Sequence, residues 1–245
     1  MRYYQKSDIG KLRANNQDSC GIYINNNGYL LAMVSDGIGG LKAGEIASSL
    51  AIEYMSKPFL KKTFKQSDNL YHWLREAVEN VNRQILKEGA KNEEHRGMGA
   101  TLVGALITNE RTYVFNVGDS RCYLIGDKHM NCVTHDHTLL QRMLESGLIA
   151  PEEAENNPNR HVLINALGID QPLRVDIEAF NNLYDMLLLC SDGLYGYVAE
   201  EEIRKVLLRK GSVEHKTEKL VQLANSAGGF DNVTVIVIEG GEANE

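Results

Sequence analysis

Two stretches of this chain share one device. Leu30-Leu-Ala-Met-Val-Ser-Asp36-Gly37 and Met186-Leu-Leu-Leu-Cys-Ser-Asp192-Gly193 both run apolar and then end in Ser-Asp-Gly. Tyr113-Val-Phe-Asn-Val-Gly118-Asp119 ends a third apolar run in Gly-Asp. Asp231 opens a fourth in Asp231-Asn-Val-Thr-Val-Ile, and Asp18 precedes the first of all in Asn15-Asn-Gln-Asp18-Ser19. A strand end is a rigid mount for a side chain, and a neighbouring glycine lets the backbone turn sharply or approach a ligand. One Asp-Gly by itself reads as a turn. Several carboxylates brought together by strand ends would repel one another strongly unless a cation lay between them. Donors that are all oxygen point to Mg²⁺ or Mn²⁺ rather than structural zinc.

The elements that must position these residues are legible from periodicity. Residues 21–24 and 29–34 are short β-rich runs joined by Asn25-Asn-Asn-Gly28, which predicts a hairpin. Further strands are expected over 101–108, over 111–125 with a break at Gly118-Asp119, over 186–190 and over 233–238. Helical spacing of apolar residues marks 43–56, 68–88 with Asp68 as N-cap, 138–146 with Gly147 as stop, 200–209 and 215–226. The order is not a regular alternation of strand and helix. It predicts an α+β fold with sheets inside and helices outside, in a single domain spanning 1–245.

Composition narrows the class. With 245 residues, 43% hydrophobic and 24% charged, the chain is a globular protein that needs no disulfide or metal staple. Its net charge of −7 has the wrong sign for a nucleic-acid binder or a polybasic membrane-surface protein. No apolar run approaches the ~20 residues of a membrane span, and Met1-Arg-Tyr-Tyr-Gln-Lys-Ser-Asp8 carries no apolar signal-peptide core. Cys20, Cys122, Cys132 and Cys190 form no CxxC pair; they are expected to be small buried hydrophobes in a reducing compartment, hence a cytoplasmic location.

The ordered set of motifs resembles the metal-dependent protein phosphatase (PPM, type 2C) family in its compact bacterial form. The resemblance rests on Ser7-Asp-Ile-Gly10-Lys-Leu-Arg13-Ala-Asn-Asn-Gln-Asp18-Ser19, Ser35-Asp36-Gly37-Ile-Gly39-Gly40, Gly97-Met-Gly99-Ala-Thr101 and Gly118-Asp119-Ser-Arg121. Thr134-His-Asp136-His137, Asn165-Ala-Leu-Gly168, Ser191-Asp192-Gly193 and Asp231-Asn232 complete it. Each motif is weak alone, but together they span nearly the whole chain in family order.

The resemblance implies a four-layer αββα sandwich, with two mostly antiparallel central sheets flanked by helices. It implies hydrolysis of phosphoserine and phosphothreonine in proteins by metal-activated water, with Mn²⁺ or Mg²⁺ as cofactor: two ions, and a third in many bacterial members. Matched by motif, Asp36 and the carbonyl of Gly37 would bind metal, with Asp192 and Asp231, and Asp119 would join Asp192 at the third ion. Asp18 would orient water, and Arg13 would bind substrate phosphate through its planar fork. The implied partners are phosphorylated proteins, including a serine/threonine kinase, with no nucleic acid and no membrane, and the implied state is a monomer.

Two positions depart from the family pattern. Gln17 stands where the family usually has Glu, which removes one charge near the cations. Ile38 stands where eukaryotic members carry a histidine assigned as general acid, so His137 and His161 become candidates by their place in the sequence. The polar stretch 145–168, with Pro151 and Pro158, falls where the family has its mobile flap. Three other readings remain open: a pseudophosphatase that binds a signalling partner without turnover, a carboxylate-metal nuclease, and a simple cation-binding module.

Overall fold

Strands that bury both faces read as near-continuous apolar runs, and this chain has several. The computed structural model describes residues 1–39, 43–126, 128–154 and 157–240. Among them the chain order is β1 (Tyr3–Asp8), β2 (Asp18–Ile24), β3 (Leu30–Ile38), α1 (Ala43–Lys61), α2 (Leu70–Gly89), β4 (Gly99–Ala100), β5 (Leu102–Ile107), β6 (Arg111–Val117), β7 (Arg121–Gly126), β8 (His129–Cys132), α3 (Leu139–Glu145), β9 (Asp176–Asn181), β10 (Met186–Cys190), α4 (Asp192–Tyr195), α5 (Glu200–Leu208), α6 (Val213–Ser226) and β11 (Val233–Glu239).

The fold is α+β. One sheet runs β1-β11-β10-β7-β8 and the other β2-β3-β5-β6-β9, with β4 added to the end of β3. Every ladder between these strands is antiparallel. Alternation along β3 and β11 shows why there are four layers. Leu31 and Met33 pack with α1 and α2, while Leu30, Ala32 and Val34 face the opposite sheet. Val233, Val235 and Val237 pack with α5 and α6, while Ile236 and Ile238 meet Leu187 and Leu189 between the sheets. Side chains on a strand alternate between its faces, so one run of residues builds two cores.

The expected hairpin forms, and its strands run on past the expected ends. β3 continues through Asp36 to Ile38. The break at Gly118-Asp119 is where the chain leaves β6 in one sheet and enters β7 in the other. Asn69, not Asp68, caps α2: its side chain accepts the N–H of His72. Asp68 instead accepts the N–H of Lys65. Cys122 and Cys190 are buried as expected, but Cys20 is only half-buried on edge strand β2, and Cys132 is exposed, because β8 is an edge strand with open faces. Among the described residues no helix is long and apolar enough to cross a membrane. Gly40 and two residues of the 145–168 stretch, Glu155 and Asn156, lie outside the described residues.

Candidate active site

One end of the sandwich gathers the aspartates. Asp18 opens β2 and pairs in register with Asp36 of β3. Asp119 sits in the sheet-to-sheet crossing, Asp192 is the first residue of α4 directly after β10, and Asp231 lies two residues before β11. Asp36, Asp119, Asp192 and Asp231 share the wall of a cavity of about 420 Å³ with Arg13, Gln17, Gly37 and His161.

Local hydrogen bonds fix these positions. The Asp36 N–H donates to Thr101 Oγ1 (2.9 Å), and the Thr101 N–H returns a bond to the Asp36 carbonyl (2.8 Å). Thr101 Oγ1 also meets Ser120 Oγ at 2.7 Å, which ties β3 to the Gly118-Asp119 crossing. Gly37 must be glycine, because a Cβ there would lie 2.2 Å from the Gly44 carbonyl oxygen. Ser191 Oγ donates to Asp18 Oδ2 (2.7 Å) and accepts the N–H of Thr234 (3.0 Å), so Asp18 is held from the opposite sheet. Asn232 anchors the loop after β1: its Oδ1 accepts the N–H of Gln17 (2.8 Å), and its Nδ2 donates to the carbonyls of Ile9 and Asn15.

The electrostatics are those of crowded, buried carboxylates. Burial pushes Asp18 up to about 7, with the charges of Asp192 and Asp231 adding and the Ser191 hydroxyl opposing. Burial, then Asp192 and Asp136, push Asp119 up to about 8. Asp36 lies well above the usual carboxylate range, through burial and then the charges of Asp18, Asp192, Asp119 and Asp231. Asp192 is raised by burial and then by Asp231. Asp18 Oδ1 and Asp192 Oδ1 are enclosed without a hydrogen-bond partner. A buried carboxylate oxygen with no donor is costly. This set fits hard divalent cations, which would pair with Asp192 Oδ1 directly and with Asp18 Oδ1 through water, and so remove the repulsion. Among the described residues no group of three His, Cys, Asp or Glu side chains forms a ready-made metal cage. Carbonyl oxygens and water would have to complete each shell, as Mg²⁺-class ions accept.

Arg13 reaches the site by an ion pair with one of these acids. Its Nη2 donates to Asp231 Oδ2 at 2.7 Å, and its Nε to the Phe230 carbonyl at 3.4 Å. The two histidines separate. His137 is buried away from the cavity, its Nδ1 accepting from the Gly118 N–H (3.1 Å) and Asn165 Nδ2 (2.7 Å) and its Nε2 donating to Asp176 (3.1 Å). Those bonds make it a structural tie, and burial lowers its basicity. His161 lines the cavity, with Nδ1 3.9 Å from Asp192 Oδ2. Sequence reasoning did not foresee the supporting hydroxyls of Ser120 and Ser191 or the anchoring role of Asn232, although all three sit inside the quoted motifs.

Comparison with known proteins gives concordant matches. The family model described as Protein phosphatase 2C matches residues 11–228. The chain is 36% identical over 237 residues to the serine/threonine phosphatase stp of Listeria welshimeri, covering 96% of this chain and 94% of that protein. It is 35% identical to the protein phosphatase PhpP of Streptococcus pneumoniae strain D39, covering 95% and 94%. The crystal structure of the serine/threonine phosphatase Stp1 of Staphylococcus aureus superposes with a TM-score of 0.91 at 35% identity, covering 97% and 95%. The catalytic domain of the phosphatase PstP in complex with two manganese ions superposes with a TM-score of 0.83 at 34% identity, covering 97% of each chain.

Proposed function

The chain belongs to the protein phosphatase 2C family, and from that premise we propose how its own residues carry the hydrolysis of phosphoserine and phosphothreonine in proteins. The observation that carries the reading is the convergence of Asp36, Asp119, Asp192 and Asp231, beside Arg13, on one cavity. The relatives are named as phosphatases, which favours turnover over a pseudophosphatase that only binds partners. The same names, with the charge of −7, tell against a nuclease and a bare cation-binding module.

Asp36, the Gly37 carbonyl, Asp192 and Asp231 are proposed to hold two Mn²⁺ or Mg²⁺ ions, and Asp119 with Asp192 a third. Two bound manganese ions in a relative support the first pair. When bound, such ions draw a phosphate dianion into an acidic cavity and lower the pKa of water toward neutrality. Asp18, fixed by Ser191 and with Oδ1 uncommitted, orients water behind the lining aspartates. Arg13 binds the phosphate oxygens. Its guanidinium is parked on Asp231 and must exchange that carboxylate for the substrate, a swap between two oxyanions that each offer a pair of oxygens to the fork. We read 1–245 as one catalytic domain with 145–168 as its flap. The protein acts as a cytoplasmic monomer on phosphoproteins that include a serine/threonine kinase. Phosphate release from a phosphothreonine peptide, measured with Mn²⁺ and with a chelator, tests the reading; no metal-dependent release would sink it.

A further inference from the structure

The rim of the catalytic cavity carries an aromatic ledge that the phosphate chemistry does not use. The rings of Tyr197 and Phe230 lie 5.3 Å apart, tilted by 34°. Both are open to solvent, Tyr197 at 36% and Phe230 at 48%, and Tyr197 also lines the cavity itself. Phe230 precedes Asp231, and its carbonyl accepts from Arg13. Its ring is laid down over Gly228, where a Cβ would stand 2.1 Å from the ring. Leu12, exposed at 67%, sits beside the same loop, its N–H donating to the Gly229 carbonyl. Large apolar side chains grouped in the open mark a contact surface when they adjoin a site. Here they adjoin the proposed phosphate-binding arginine.

We propose that this ledge binds a large apolar residue flanking the phosphoserine or phosphothreonine of a protein substrate. The inference rests on the phosphatase reading and names the substrate class for that site. A chain that inserts its phosphate beside Arg13 carries the next residue only 3.8 Å away in Cα position, so a neighbouring side chain must come down near the rim. Aromatic rings offer that side chain area at little entropic cost, because they have few rotamers to lose. Arg13 standing beside the rings disfavours a basic residue there.

The test compares two phosphothreonine peptides that differ only in the residues flanking phosphothreonine, leucine in one and glycine in the other. Wild-type protein with Mn²⁺ should show kcat/KM about tenfold higher for the leucine peptide, mostly through KM. Phe230→Ala and Tyr197→Ala should each shrink that ratio to about twofold or less, and Phe230→Trp should keep it. The ratio is taken within one protein, so any loss of metal or folded enzyme cancels. A wild-type ratio near one, or a ratio undiminished in both alanine variants, overturns the ledge. If wild-type protein hydrolyses neither peptide, the phosphatase reading fails. Anisotropy titrations of the same two peptides, labelled and bearing a non-hydrolysable phosphonate, then decide the ledge by the same ratio of affinities.

Discussion

Asp18 and Asp36 face each other across the β2–β3 ladder, on the face that looks toward the opposite sheet. Like charges directly opposite in a ladder destabilise it, and burial here enlarges the cost. The folded protein therefore carries a local repulsion that a cation relieves.

Replacing Asp36 by Asn should then separate stability from activity. Without metal, Asp36→Asn should stabilise the fold by about 1 kcal/mol, a rise in Tm of roughly 2–4 °C for a chain of this size. Phosphatase activity should fall at least about 100-fold. Saturating Mn²⁺ should raise the Tm of wild-type protein by several degrees, since a ligand at about 100 times its Kd adds roughly 2.7 kcal/mol. The variant should lose most of that rise. Melting curves in chelator and in Mn²⁺ give the stability results, and phosphate release from a phosphothreonine peptide gives the activity. A variant less stable than wild type in chelator would mean that Asp36 supports the fold through something other than metal.

The raised carboxyls set the pH dependence of the metal-free protein. Asp18 and Asp119 titrate from 3.8 when unfolded to about 7 and about 8 when folded. Between those values the folded state holds more protons than the unfolded state, so stability falls as pH rises. The contribution is complete near pH 4 and is lost as pH climbs through about 7 and about 8. In chelator, Tm should drop as pH rises from about 4 to about 8. With saturating Mn²⁺ the drop should vanish or reverse, because the bound cation holds these groups deprotonated. A metal-free Tm that climbs over the same range would contradict the burial and mutual repulsion argued for this cluster.

Arg13 and Asp231 form an ion pair whose guanidinium side is half exposed, so the pair adds little to stability. Its loss should be felt in binding. Arg13→Ala should raise KM for a phosphopeptide by about tenfold or more, with a smaller change in kcat, because the contact exists in ground and transition states alike. Arg13→Lys should recover only part of this, as an ammonium cannot form the two-pronged contact. Freeing Asp231 of its cation should also lower the Mn²⁺ concentration for half-maximal activity by a few-fold. Steady-state kinetics at two metal concentrations measure both effects. An unchanged KM would remove Arg13 from the phosphate site.

The interior strands and the acid cluster were legible because their signal is local. β10 is apolar throughout and β11 is so apart from Thr234 and its last residue, and each has its aspartate two residues beyond one end. Apart from β2, which the hairpin signal marks, the edges were not legible. β1 reads Tyr-Tyr-Gln-Lys-Ser-Asp, half exposed along its length, and β8 and β9 are similarly open, so their pairing depends on neighbours rather than on an apolar pattern. The same limit applied to the histidines. His137 and His161 are both near the motifs in sequence, but direction is a tertiary property. The bonds of His137 to Gly118, Asn165 and Asp176 turn it into the core, while His161 faces the cavity.

Gln17 offers the sharpest test of how the cluster's charge tunes metal binding. Its main chain is firmly held: its N–H donates to Asn232, and its carbonyl accepts from the Gly37 N–H and from Ser48 Oγ. Gln17 lines the cavity together with the aspartates. Gln17→Glu keeps the size and the main-chain bonds and adds one negative charge. Through water and partial screening that charge should be worth about 1–2 kcal/mol to the bound cations, roughly a tenfold change in affinity. Half-maximal activation should therefore need about tenfold less Mn²⁺ in Gln17→Glu, with similar kcat once both proteins are saturated. In chelator the variant should melt lower than wild type, since it adds a like charge to an already repelling group. The two readouts move in opposite directions only if position 17 acts by charge. Coincident activation curves would show that it does not tune metal binding. A wild type inert at saturating metal and rescued by Gln17→Glu would instead assign the missing glutamate a part in turnover itself.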